Sequence, residues 1–170
     1  MRKNKKDDII KPKKINERKK DLEKIEQMRF KFWTNLLEKS NKKTILFKRI
    51  EPNRANAIKI EAGKPGLYYR YVIGPKYGRA EFFIDTDDWK TNNEIYSRLL
   101  KKKREIESEF GGKLRWEMPE NVRGCYITKH FLNIGLLDED KWDELQDKMV
   151  DAMIKLEKAL YKHITRLNAD

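Results

Sequence analysis

The chain has 170 residues, a formal net charge of +12, 40% charged residues and only 38% apolar ones, the length of one domain or of one domain with a tail. Its single cysteine, Cys125, excludes an internal disulfide framework and fits a reducing, cytoplasmic setting. No run approaches a membrane-spanning length, and the basic N-terminus lacks the apolar stretch of a secretory signal.

The charge is unevenly placed. Residues 1–50 hold 18 Lys/Arg against 7 Asp/Glu, residues 51–137 hold 16 against 12, and residues 138–170 hold 6 against 9. A basic N-terminal third points to a polyanion such as nucleic acid. The same charge also serves as a solvated tail, and the abundance of Lys, Glu and Ile leans towards a thermophile composition.

Residues 1–15 alternate Lys with Asp, contain Pro12 and show no core pattern, so they read as a disordered basic arm. Residues 16–170 read as a single α+β domain. Asn16 is the expected cap of a helix whose apolar stripe is Leu22, Ile25, Met28, Phe32, Trp33, Leu36 and Leu37, broken by Arg29 and ended by Ser40-Asn41. Its first turns are thin in apolar residues, so the front half is expected to project. Ile45 to Ile50 is a connector or an edge strand. Ala57 to Glu61 alternates as a strand, Gly63 to Gly66 turns, and Leu67 to Ile73 alternates again, with Leu67, Tyr69, Tyr71 and Ile73 on one face.

After a hairpin loop over Gly74–Gly78, Arg79 to Asp85 forms the central strand: Ala80, Phe82 and Ile84 point one way, Arg79, Glu81 and Phe83 the other. Arg79 is expected beside Glu81 and across from Arg70. Trp89 to Gly111 reads as one helix with a stripe through Ile95, Tyr96, Leu99, Lys103, Ile106 and Phe110, stopped by Gly111-Gly112. Leu114–Met118 and Val122–Phe131 read as two more strands. Asp138 is the expected cap of a long last helix whose seam is Trp142, Leu145, Met149, Met153, Leu156, Leu160 and Ile164. That seam predicts packing on Phe32 and Trp33, and a homodimer through the remainder. The whole predicts a two-layer α+β sandwich: a mostly antiparallel sheet of about five strands in the order α-β-β-β-α-β-β-α, helices on one face and the other face open.

Phe32, Trp33 and Leu36, then Arg79, Ala80, Glu81, Phe83, Ile84 and Asp85, continue into Asn93–Tyr96, Leu99, Lys103, Ile106, Glu107, Phe110 and Gly111, and into Leu114–Glu117, Arg123 and Ile127. From Arg29 to His163 this pattern resembles a bacterial and archaeal family catalogued only as a domain of unknown function (family 4268). The resemblance implies a DNA-related context, because the family's domain often follows a nuclease-like domain; here the arm and first helix stand in that place. It implies no defined chemistry.

The open sheet face is the leading candidate site. By alternation it carries Lys59, Tyr68, Arg70, Arg79, Glu81, Phe83, Arg115, Glu117 and Tyr126. Guanidinium groups hold phosphate and rings stack bases, whereas a ladder of cross-strand Arg–Glu pairs is the plainer reading. Lys101, Lys102, Lys103 and Arg104 would span one helical turn, offering charge to a phosphate backbone or pairing with Glu105, Glu107 and Glu109. Asp85, Asp87 and Asp88 are candidate ligands for a divalent metal; Asp87 or Asp88 is more simply a helix cap. The element order also fits restriction-type nucleases, but their Glu-x-Lys reads Glu81-Phe-Phe83 here, and the nearest lysine, Lys76, lies in the preceding loop. His130 and His163 lack metal-ligand spacing, and Cys125 reads as a buried small residue.

The expected function is therefore a nucleic-acid-binding or accessory module of a DNA-handling or defence system. Its expected partner is nucleic acid, DNA first, or a nuclease-like protein, with no membrane and no cofactor. The alternatives are a protein-interaction or dimerisation module without nucleic acid, and a metal-dependent nuclease.

Overall fold

Alternating apolar residues build the centre of the protein. In the computed structural model, which describes residues 12–167, five strands form one sheet: β1 (Ala57–Glu61), β2 (Leu67–Gly74), β3 (Tyr77–Ile84), β4 (Arg115–Glu117) and β5 (Cys125–Leu132). Their order is β1-β2-β3-β5-β4, antiparallel at every pairing. Short turns impose that direction; only Pro75 and Lys76 separate β2 from β3. Ile58, Tyr69, Tyr71, Ala80, Phe82, Ile84, Cys125 and Ile127 lie on one face and are buried. The helices α1 (Pro12–Lys43), α2 (Trp89–Leu100), α3 (Lys103–Phe110) and α4 (Trp142–Leu167) cover that face and complete one hydrophobic core. The α+β two-layer architecture is thus the one the alternation implies.

Helix α4 lies over the central strand β3. Gly78 permits the approach, since a Cβ there would meet Met149 Sδ at 2.9 Å and Leu145 Cδ1 at 3.1 Å. Helix α1 runs parallel to α4 in a single register. Lys31 pairs with Glu139, Lys39 with Asp147 and Lys43 with Asp151, each across 108 residues. Beneath those pairs Phe32 meets Trp142 edge to face at 5.3 Å, and Gln146 Nε2 donates to the Phe32 carbonyl at 3.0 Å.

That register explains where the two helices part. Carried back along α1, it sets the start of α4 beside residue 34, so residues 13–24 of α1 lie beyond it and are all exposed. Carried forward, it sets Asp151 beside the end of α1, and the rest of α4 packs on α3, where Lys162 reaches Glu105 at 2.8 Å. The helix begins at Pro12 rather than after Asn16; proline's fixed φ and missing N–H suit a first turn. Positions 12–15 are therefore helical, while residues 1–11 of the expected arm lie outside the described residues.

Two local expectations change, and one open alternative is decided. Trp89–Gly111 is two helices, not one: the chain turns at Lys101-Lys102. Unbroken, the helix would carry Lys103 on its buried stripe; broken, α2 buries Ile95, Tyr96 and Leu99, α3 buries Ile106 and Phe110, and Lys103 stays half-exposed. The stop at Gly111 holds, with φ 83° and its N–H bonded to the Glu107 carbonyl. Asp138 does not cap the last helix; a 3-10 turn (Glu139–Lys141) intervenes, and the Asp138 carboxylate takes the Gly135 N–H at 2.9 Å. Ile45–Ile50 is a connector whose Phe47 enters the core against Tyr71 at 4.8 Å.

Candidate nucleic-acid interface

The strand register arranges the uncovered sheet face in rows. One row reads Glu61, Tyr68, Phe83, Tyr126 and Glu117; the next Lys59, Arg70, Glu81, Thr128 and Arg115; the third Ala57, Val72, Arg79 and His130. Arg79 therefore faces Val72 and His130, not Arg70; it is Arg70 that stands directly across from Glu81. Every open-face position expected from alternation lies on this face.

Glu81 is the hub. Its carboxylate has no exposed surface, Arg70 holds Oε1 through Nε and Nη2, and Arg79 Nε stands 3.6 Å from Oε2. Arg70 also lies over the Phe83 ring at 4.1 Å and reaches Tyr126 at 5.6 Å. Phe83 and Tyr126 stack at 5.0 Å with 20° between their planes. Gly124 makes room, because a Cβ there would sit 2.0 Å from Phe83 Cε2. Phe83 is consequently buried under Arg70 and offers no free ring to a base, contrary to the sequence expectation. Tyr68, with Lys59 over it at 4.2 Å, and Tyr126 keep partly exposed rings. At the β4 rim Arg115 is exposed and pairs with Glu117 at 2.8 Å.

Thr128 and His130 complete the face and are absent from the sequence-based set, although alternation from Tyr126 reaches both. Arg79 Nε, Glu81 Oε2, Thr128 Oγ1 and His130 Nε2 are buried and lack hydrogen-bond partners among the described residues. Burial, then the charges of Arg115 and Arg79, push the His130 imidazole below its usual pKa. Buried polar atoms of this kind are ordinarily satisfied by water or a ligand atom.

The other candidate residues lie elsewhere. Lys101, Lys102 and Arg104 are exposed at the α2–α3 turn, in the helical layer. Lys102 comes 3.9 Å from Glu105, whereas Glu105 and Glu109 mainly serve Lys162, and Glu107 is turned inward. The fold therefore separates this cluster from Arg70, Arg79 and Arg115. Asp85 takes a two-pronged contact from Arg123, at 2.6 and 2.9 Å, which holds its carboxyl below the usual range; Asp87 meets the same guanidinium at 2.8 Å, and Asp88 caps α2 through the Thr91 N–H. Among the described residues, no group of three or more His, Cys, Asp and Glu is placed to hold a metal ion. Lys76 pairs with Asp138 at 2.7 Å. Trp142, Met149, Met153, Leu156 and Leu160 are all buried in this chain's own core, so that seam offers no exposed surface for dimerisation. Cys125 is buried as expected, with its thiol pushed up to about 11 by burial.

These features define an α+β domain with one bare, arginine-rich sheet face. The chain belongs to the family described as "Domain of unknown function (DUF4268)", whose pattern matches residues 28–164. No curated protein and no solved structure matches it. Among the described residues, no helix is long and apolar enough to cross a membrane.

Proposed function

We propose that this domain binds nucleic acid, as an accessory module of a DNA-handling system, with the open sheet face against the phosphate backbone. The observation that carries this reading is the face itself: the α-helices of the described residues lie on the other side, and Lys59, Arg70, Arg79 and Arg115 are interleaved with Tyr68 and Tyr126. Arg115 and Lys59 make the first contacts, because both are exposed. Arg70 holds Glu81 with one edge of its fork and positions the aromatic pair; its role is structural first.

Binding is measured by gel shift on single- and double-stranded DNA and RNA at two salt concentrations. Affinity should fall steeply with salt, and Arg115→Ala should weaken it while flattening the salt slope by about one unit. Salt-independent binding, or an Arg115→Ala variant indistinguishable from wild type on every substrate, removes the sheet face as the interface.

A second reading, a module that docks on a protein such as a nuclease-like partner, is favoured by α1. Its exposed front half carries Ile15 and Leu22, seven residues apart and in line with the buried stripe further on. Ile15→Ser with Leu22→Ser would then abolish partner binding and leave nucleic-acid affinity unchanged.

A further inference from the structure

Where α4 runs past the end of α1, the core is incompletely covered. Phe47 fills part of the gap, and beside it remains a cavity of about 340 Å³ lined chiefly by Leu46, Glu61, Tyr69, Glu157, Tyr161 and Ile164. Its volume and mostly apolar wall fall within the range of small-ligand sites. In a chain carrying +12, the charged side chain on the helical side of this cavity, Glu157, is acidic.

Glu157, half-buried on α4, makes no ion pair or hydrogen bond among the described residues, while Glu61, at the end of β1, lies on the open side of the sheet. Other carboxylates of this surface are used: Glu38, Glu105, Asp138 and Glu144 each hold a lysine. A half-buried carboxylate without a partner is costly in an apolar wall, and burial does push the Glu157 carboxyl above the usual range. Two tyrosine rings, Tyr69 on β2 and the exposed Tyr161 on α4, border the same space, and aromatic rings attract cations.

We propose that this cavity is a binding site for a small organic cation, an alkyl- or arylammonium whose charged head meets Glu157 and whose apolar body lies against Leu46, Tyr69 and Tyr161. The site lies in the helical layer and is independent of nucleic-acid binding at the open sheet face.

The test is calorimetry and side-chain NMR on the full chain, with n-butylammonium and benzyltrimethylammonium as cations and n-pentanol, one methylene longer than n-butylammonium, as the neutral control. The two cations should bind saturably at millimolar concentration, n-pentanol at least about tenfold more weakly. Glu157→Gln keeps the shape and removes the charge; it should weaken cation binding about tenfold and leave n-pentanol unchanged. Tyr161→Ala, at an exposed position, should cost about 2–5-fold. Nα-acetyl-lysine amide separates the sources: tighter binding than n-butylammonium assigns the head group to a partner's lysine side chain, weaker binding to a free amine, and either supports the site. No saturation at tens of millimolar, n-pentanol binding as well as n-butylammonium, or full cation affinity in Glu157→Gln would overturn the proposal.

Discussion

Replacing Arg70 with alanine separates the structural from the ligand-binding role of the sheet face. Glu81 has no exposed surface, and Arg70 is its nearest partner. Without Arg70 the carboxylate keeps only Arg79, whose Nε lies 3.6 Å from Oε2. Stripping the partner from a buried charge costs about 3–5 kcal/mol. Arg79 can move inward, which places the loss near the low end of that range, while the lost stack on Phe83 at 4.1 Å adds about 0.5–2 kcal/mol. Urea unfolding with an unchanged m-value should therefore show Arg70→Ala destabilised by roughly 3–5 kcal/mol. Removing both charges with apolar replacements, Arg70→Met with Glu81→Leu, should recover most of that loss, since a buried pair replaced by packed apolar side chains is often neutral. A loss below about 1 kcal/mol in Arg70→Ala would mean that the pair behaves as an exposed one. A double variant no more stable than the single one would mean that the cost does not come from the orphaned Glu81 charge.

Two further outcomes follow from the core and from the α3–β4 junction. Leu156, fully buried on α4, should cost about 2–5 kcal/mol on mutation to alanine without changing the sedimentation behaviour, because its seam is filled from within the chain; dissociation of an oligomer by this variant would contradict the packing. Glu107 takes the Leu114 N–H at 3.0 Å, Lys113 at 3.2 Å and the Trp116 indole N–H at 3.3 Å. Burial pushes its carboxyl up, but these donors together outweigh burial and leave the pKa below the usual glutamate range. A depressed carboxyl stabilises the fold fully above its unfolded pKa and loses that contribution as pH falls through the folded one. Glu107→Gln should therefore be clearly destabilised at neutral pH, and the gap to wild type should close as pH drops below 4.5; a gap that stays constant with pH would refute the assignment.

Sequence alone determined the strands, their faces and the helical layer, because alternation and helical periodicity are local properties that burial reinforces. Lys59, Arg70, Glu81 and Arg115 could be placed on one face from that alternation. A cap at Asp87 or Asp88, which the structure gives to Asp88, and a stop at Gly111 were equally legible, since each acts within one helical turn. Tertiary structure decided the rest. Which side chain opposes which depends on strand order and register, so only the assembled sheet puts Glu81 rather than Arg79 across from Arg70 and folds Arg70 over Phe83. The break at Lys101-Lys102 reflects two partners, the sheet for α2 and α4 for α3, that one stripe cannot reveal. The parallel alignment of α1 with α4 is set by contacts 108 residues apart, beyond any local pattern. That alignment leaves the front of α1 exposed, while α3 and the sheet complete the burial of the α4 seam and a cavity bordered by Glu157 remains beyond the end of α1.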